Sequence, residues 1–193
     1  IGILFMVLRL SKVKKKNKEQ SVMISSISEM SNIDKMTGCF NRKAYDEDIS
    51  EIRMDSQFIY VSMDVNGLKI INDRQGHAAG DELICVAASC MKTRFDRYGK
   101  VYRMGGDEFL LFLPKVNHEE AENILSNLIQ QFKEIVQNDH EIQFASLSAG
   151  MLMTTKNDHF EDASSKTDKA LYYVKQNGKN SYSFYNQIQY GNE

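Results

Sequence analysis

Cysteine is scarce in this chain: Cys39, Cys85 and Cys90 are all there is, with no C-x-x-C spacing and no companion histidines. That excludes a disulfide framework and a zinc site, and leaves reduced thiols packed in a cytosolic protein. Proline occurs once, at Pro114, just after an apolar run, where it is placed to end a strand. Basic charge is not in excess, since 24 Lys and Arg face 26 Asp and Glu for a net charge of −2. A protein that coats nucleic acid carries a basic stripe over its binding face, so nucleic acid is excluded as a partner. Small phosphate ligands need only a few local cations and stay open. No internal repeat is present, and 193 residues suffice for one well-buried domain plus an appendage.

Long apolar runs are also missing. The longest candidate, residues 1–10, falls short of the roughly 20 residues a helix needs to cross a bilayer. It is followed by Lys12, Lys14, Lys15, Lys16 and Lys18, which is the pattern of a membrane helix cut near its end, with the lysines on the cytoplasmic side. A short amphipathic leader is the competing reading. Residues 11–31 are expected to form a helical linker. Met6, Leu10, Val13, Ile24 and Ile27 recur at steps of three and four, with Asn17 and Gln20 in intervening slots, as in a two-stranded coil. A solvated linker helix fits the same residues.

Residues 32–190 read as a single domain. Asp34 to Gly38 is a turn, and a helix is expected from Asn41 to Met54. Gln57 to Val65, rich in β-branched and aromatic residues, predicts a buried strand. Gly67, Gly76 and Gly80 punctuate the next stretch, and a helix is expected from Asp81 to Phe95 with Leu83, Ile84, Ala87, Ala88 and Met91 on one face. Val101–Met104 and Phe109–Leu113 are strand-like runs joined by Gly105-Gly-Asp-Glu108, a hairpin signal because tight turns need positive φ. His118 to Gln137 predicts a helix with an apolar stripe of Ala121, Ile124, Leu125, Leu128, Ile129, Phe132 and Ile135. Phe144–Met153 reads as a strand, Asp162–Gln176 as a helix and Tyr182–Tyr185 as a last strand. The fold class is therefore α/β, a mixed central sheet flanked by helices, preceded by an N-terminal helical linker.

Asp64 stands at the carboxyl end of an apolar strand, where a side chain emerges toward a ligand crevice. Alone it is an ordinary strand-end residue. If the hairpin lies beside that strand, Asp107 and Glu108 converge on it, and hard oxygen ligands of this kind suit Mg²⁺ in phosphoryl or nucleotidyl transfer. An EF-hand is a poor alternative, because Gln75 stands where the loop would need a closing glutamate. Gly67 lets backbone amides approach a phosphate and Lys69 adds a charge. Asn72 and Asp81 together offer the donor and acceptor that match a guanine edge. His77 is equally a structural histidine or a ligand contact.

The stretch Gly105-Gly-Asp-Glu-Phe109 resembles the signature of the GGDEF domains, and it does not stand alone. Asp34-Lys-Met-Thr-Gly-Cys-Phe-Asn-Arg42 is similar to the family's D-x-L-T-G-x-x-N-R, with Met36 for leucine. Residues 64–81 are similar to D-x-D-x-F-K-x-x-N-D-x-x-G-H-x-x-G-D. Asp168-Lys-Ala-Leu-Tyr-Tyr-Val-Lys-Gln-Asn-Gly-Lys-Asn180 is similar to A-D-x-A-L-Y-x-A-K-x-x-G-R-N. Together they run in order from about Asn32 to Tyr185.

The resemblance implies a fold like polymerase palm and nucleotidyl cyclase catalytic domains, and condensation of two GTP into cyclic di-GMP with release of pyrophosphate. It implies Mg²⁺, with Mn²⁺ able to substitute, held by the Asp64 carboxylate, the Val65 carbonyl and Asp107. Glu108 would help deprotonate the attacking 3′-hydroxyl. Gly67, Leu68, Lys69 and Lys175 would hold the triphosphate, with Lys179 adding charge to the phosphate grip. Asn72 and Asp81 would select guanine, and His77 would be a further substrate-binding residue. One GTP per domain makes the active species a homodimer, on a cytoplasmic domain tethered to the inner face of a bacterial membrane through the residues before Lys12. Four departures stand out. Asn66 replaces the second aspartate of D-x-D, Leu68 replaces phenylalanine, and Lys179 replaces arginine. The product-inhibition motif R-x-x-D is absent, since Asp96-Arg-Tyr-Gly99 occupies its place. A catalytically silent nucleotide-binding module that regulates a partner is the alternative from another class. A palm-type polymerase fragment lacks a basic template groove.

Overall fold

The computed structural model describes residues 31–52, 57–156 and 158–190. The apolar leader and most of the linker expected over residues 1–31 lie outside them. The described residues from Asp34 onward form one compact unit. Its elements are β1 (Phe40–Asn41), α1 (Arg42–Glu51), β2 (Phe58–Asn66), α2 (Leu68–Gln75), α3 (His77–Phe95), β3 (Lys100–Gly105), β4 (Glu108–Pro114), α4 (His118–Gln137), β5 (Ser146–Met153), α5 (Phe160–Gln176), β6 (Tyr182–Phe184) and α6 (Tyr185–Tyr190).

The six strands form one sheet in the order β1-β3-β4-β2-β5-β6. β1 and β6 pair parallel to their neighbours, and the four inner strands are antiparallel. The mixed sheet flanked by helices is the one the sequence predicts. Its middle strand β2 is buried along its full length, which is why it reads as a nearly continuous apolar run. Alternate side chains part to the two faces. Ile59, Val61, Met63 and Val65 join a core with α3 and α4, while Phe58 and Tyr60 join an aromatic cluster under α1 and α5. In that cluster Tyr60 and Phe112 stack at 5.0 Å and the Tyr45 and Tyr60 hydroxyls are 2.8 Å apart. The phenols thereby satisfy each other where water cannot.

Helix starts follow from side-chain caps. The Asn41 carboxamide accepts from the Ala44 amide at 3.0 Å and opens α1. Asn117 and Glu120 form a reciprocal capping box that opens α4.

Several expected boundaries move, each for a local reason. The stretch between Gly67 and Gly80 is two helices rather than punctuation. Gly67 and Gly76 at φ 94° and 88° fold the chain sharply before each of them, so α3 begins at His77 and not at Asp81. Phe144 belongs to a turn closed by Ala145 N–H to the Ile142 carbonyl, so β5 starts at Ser146. On α4, Ile135 is exposed and Val136 takes the core position, because the step of four from Phe132 stays on the buried stripe. Phe160 rather than Asp162 begins α5, and Tyr185 starts α6 instead of ending a strand.

Candidate active site

Asp64 lies at the end of β2 with β4 on one side and β5 on the other, opposite Glu108 and Ser148. A carboxylate flanked on both sides has little room, and its side chain is only 8% exposed. The β3–β4 turn closes over it. Gly105 and Gly106 hold φ of 147° and 53°, which lets the strand reverse between a register shift at Arg103 and the pairing of Gly105 with Glu108. The Val65 amide donates to the Asp107 carbonyl at 3.1 Å, fixing the turn against the end of β2. Asp64, Asp107 and Glu108 are thus brought together, as the sequence predicts of a hairpin beside the first long strand.

The cations come from α5. At Gly150 an added Cβ would lie 2.1 Å from the Thr167 carbonyl and 2.3 Å from the Leu171 amide, so α5 rests its backbone directly on β5. That close approach lets Asp168 accept from the Ser62 hydroxyl at 3.2 Å and puts Lys175 Nζ 2.6 Å from Asp64 Oδ2. Past the helix, Gly178 and Lys179 adopt φ of 102° and 60°, and the Lys179 amide bonds the Val174 carbonyl at 3.0 Å. Burial pushes the Asp64 carboxyl above its ordinary range and Asp107 adds to the shift, while Lys175 and Lys179 pull against it. A cleft of about 440 Å³ opens on this face, lined by Arg42, Asp64, Glu108, Asp168, Tyr172 and Lys175 among others.

On the other side of Asp64 the chain leaves β2 through Gly67, whose left-handed φ of 94° starts α2 with no side chain capping it. Leu68 and Lys69 form the first turn there, a place suited to a phosphate. Asn72 lies against Gly80, where an added Cβ would lie 1.9 Å from Asn72 Oδ1, and Asp81 follows as an exposed residue of α3. Asn72 Oδ1 is buried without a hydrogen-bond partner. A sealed acceptor of this kind suits a ligand that brings its own N–H. His77 is exposed at the start of α3, and among the described residues no hydrogen bond or ion pair ties it to the carboxylates.

Asn66, one of the departures from the family pattern, is held in place through its amide nitrogen. Its Nδ2 donates to Ser146 O, Ser146 Oγ and Ser148 Oγ at 2.9 to 3.1 Å. Among the described residues no cluster of three or more His, Cys, Asp or Glu would hold a metal by itself. Two carboxylates and the Val65 carbonyl are nonetheless an all-oxygen set, which fits a Mg²⁺-type cation that takes its remaining ligands from phosphates. The cation Lys175 seated on Asp64 shows the charge that this place demands.

Three residues matter here that sequence reasoning assigned no role. Arg103 and Asp34 form an ion pair at 3.1 Å, and Arg103 also donates twice to the Gly106 carbonyl at 3.2 and 2.9 Å. Both residues lie in or beside the sequence motifs. Gly150 had one signal, a glycine within a strand, which marks close backbone approach.

Comparison with known proteins bears on the family and the fold. A family model described as "Diguanylate cyclase, GGDEF domain" matches residues 31–181. A diguanylate cyclase of Vibrio cholerae is 30% identical over 168 residues, covering 82% of this chain and 51% of that protein. Probable diguanylate cyclase DgcJ of Escherichia coli K12 is 30% identical over 155 residues, covering 78% of this chain and 30% of that protein. The chain therefore spans about half or less of the length of these relatives. Among solved structures, the active GGEEF domain of a Vibrio cholerae diguanylate cyclase superposes with a TM-score of 0.67 at 30% identity, covering 76% of this chain and 97% of that one. The coiled coil and GGDEF domain of DgcB from Caulobacter crescentus, in complex with c-di-GMP, has the same fold, with a TM-score of 0.78 at 19% identity, covering 93% of this chain and 98% of that one.

Proposed function

The chain belongs to the GGDEF-domain diguanylate cyclase family, and from that premise we propose that it condenses two GTP into cyclic di-GMP. The observation that carries the reading is the meeting of Asp64, the turn acids and Lys175 at the end of β2. Asn72 and Asp81 read the guanine. The amides of Gly67 and Leu68, with Lys69, Lys175 and Lys179, hold the triphosphate, and His77 is a further substrate contact. Asp64, the Val65 carbonyl and Asp107 hold a divalent cation, Mg²⁺ with Mn²⁺ able to substitute. When bound, that cation supplies charge stabilisation to the phosphoryl oxygens.

Glu108 takes the proton of the attacking 3′-hydroxyl. The 3′-oxygen bonds to the α-phosphorus as the bond to the pyrophosphate oxygen breaks. Carried out twice, the exchange turns two GTP into one cyclic di-GMP and two pyrophosphates. A domain that holds one GTP must face a second copy, so a homodimer is the active species and alignment of the two reactants supplies much of the rate. GTP places the domain on the cytoplasmic side, and the residues before Lys12 tether it to the membrane. No helix of the described residues is itself long and apolar enough to cross one.

The test is incubation of the purified chain and of a forced dimer with GTP and Mg²⁺, with nucleotides resolved by chromatography and mass spectrometry. Cyclic di-GMP is expected from the unaltered chain and not from Asp107→Ala. GTP binding without product, even from the forced dimer, would replace the cyclase with a silent regulatory module.

A further inference from the structure

Lys175 has been given the triphosphate, yet its ammonium sits 2.6 Å from Asp64 Oδ2. That oxygen belongs to the carboxylate that would hold the divalent cation. The two partners differ in freedom. Asp64 is locked between β4 and β5 with its side chain 8% exposed, whereas Lys175 is 33% exposed at the edge of the cleft. Asp64 therefore stays, and only the lysine can leave.

The surroundings sharpen the competition. Asn66 stands where the family pattern has a second acid, and its amide is committed to Ser146 and Ser148. It offers the lysine no other anion. Among the groups whose field Asp64 feels, Lys175 and Lys179 are cationic and Asp107 anionic. A divalent cation arriving alone would have to displace Lys175 from Asp64, leaving the ammonium only the more open carboxylates of the same cleft, Glu108 and Asp168. A cation arriving with a nucleotide meets a different balance, because the triphosphate offers the ammonium a new anion within the same cleft.

We propose that Lys175 exchanges between two anions, the Asp64 carboxylate before nucleotide binds and the triphosphate after, so that divalent cation is kept off Asp64 until nucleotide arrives. This rests on the reading of Asp64 as a metal carboxylate. The exchange makes cation and nucleotide binding mutually reinforcing, and linkage requires the coupling to act equally in both directions. It also keeps the buried Asp64 charge compensated while the site waits.

The test titrates the full chain with Mn²⁺ alone, reading free Mn²⁺ by electron paramagnetic resonance. Without nucleotide, Lys175→Gln is expected to bind Mn²⁺ on the order of tenfold more tightly than the unaltered chain. Lys175→Arg, which keeps the charge, is expected to bind as weakly as the unaltered chain. The gain is expected to vanish in the Asp64→Asn, Lys175→Gln double variant. Adding the α,β-methylene analogue of GTP is expected to tighten Mn²⁺ binding more in the unaltered chain than in Lys175→Gln. Mn²⁺ binding by Lys175→Gln no tighter than by the unaltered chain overturns the exchange, as does a gain that survives Asp64→Asn. Mn²⁺ binding with the analogue present that ignores Asp64→Asn removes the premise itself, and so separates the two failures.

Discussion

Arg103 joins the hairpin turn to the start of the domain: its guanidinium donates to Asp34 Oδ1 at 3.1 Å while two further N–H groups hold the Gly106 carbonyl. The planar fork does what a lysine could not, since it serves two acceptors in fixed directions. The turn that carries Asp107 and Glu108 is therefore braced from outside the site. Arg103→Ala is expected to lower the rate of product formation on the order of tenfold through misplacement of the turn, while GTP binding holds. Steady-state rates beside calorimetric GTP titration check this. Equal loss of both would refute a bracing role.

Asp34 itself gives a pH dependence. Burial opposes its ionisation, yet the two Thr37 hydrogen bonds and Arg103 hold its carboxyl below the ordinary range. A depressed native value means stability is present above the unfolded carboxylate pKa and is lost as pH falls through the lowered native one. Asp34→Ala is expected to cost about 2 kcal/mol at neutral pH, with the difference shrinking in acid below the carboxylate range. Denaturant melts at several pH values measure it.

Asp64 carries the opposite sign. Burial raises its native value above the unfolded one, so its ionisation destabilises the metal-free fold as pH rises through that window. Asp64→Asn is expected to melt higher than the unaltered chain near neutral pH in chelator, with the gain disappearing toward acid. A lower melting temperature for Asp64→Asn at pH 7 would mean that the Lys175 pair outweighs the burial cost. In either case cyclic di-GMP formation by this variant is expected to cease.

Gly80 is required by Asn72. A Cβ there would sit 1.9 Å from Asn72 Oδ1, so Gly80→Ala must displace the carboxamide without opening the core. Affinity for GTP is expected to fall on the order of tenfold or more, with discrimination against ATP falling too, because a specific donor and acceptor pair is lost. Competition binding with the two nucleotides checks it.

Product feedback is expected to be absent. The family's R-x-x-D motif would put an acid at Gly99, but an added Cβ there would lie 1.9 Å from the Phe112 carbonyl. The backbone forbids the side chain that the motif needs. Initial rates measured with added cyclic di-GMP are expected to match those without it, and a fall in rate at micromolar product would contradict this.

Much of this molecule was legible in its sequence. The alternation of short β-branched runs with amphipathic helices predicted the mixed sheet, because side chains that must choose between core and water impose their period on the chain. The motifs around Asp64, Asn72, Asp107 and Lys175 named the family, because its turns and polar positions each demand particular residue types. The boundaries of α2, α3 and β5 were not legible. They depend on positive φ at Gly67 and Gly76 and on a turn closed at Ala145, which a glycine permits but does not compel. Nor was it legible that Arg103 would reach Asp34, that α5 would rest on Gly150, or that Lys175 would close on Asp64. Those are contacts between residues 69, 21 and 111 positions apart respectively, counting Asp34 to Arg103, Gly150 to Leu171, and Asp64 to Lys175. Local sequence sets which groups a strand or helix offers, but only the packing of sheet against helix brings a distant charge to hydrogen-bonding range, and at that range its effect is decided.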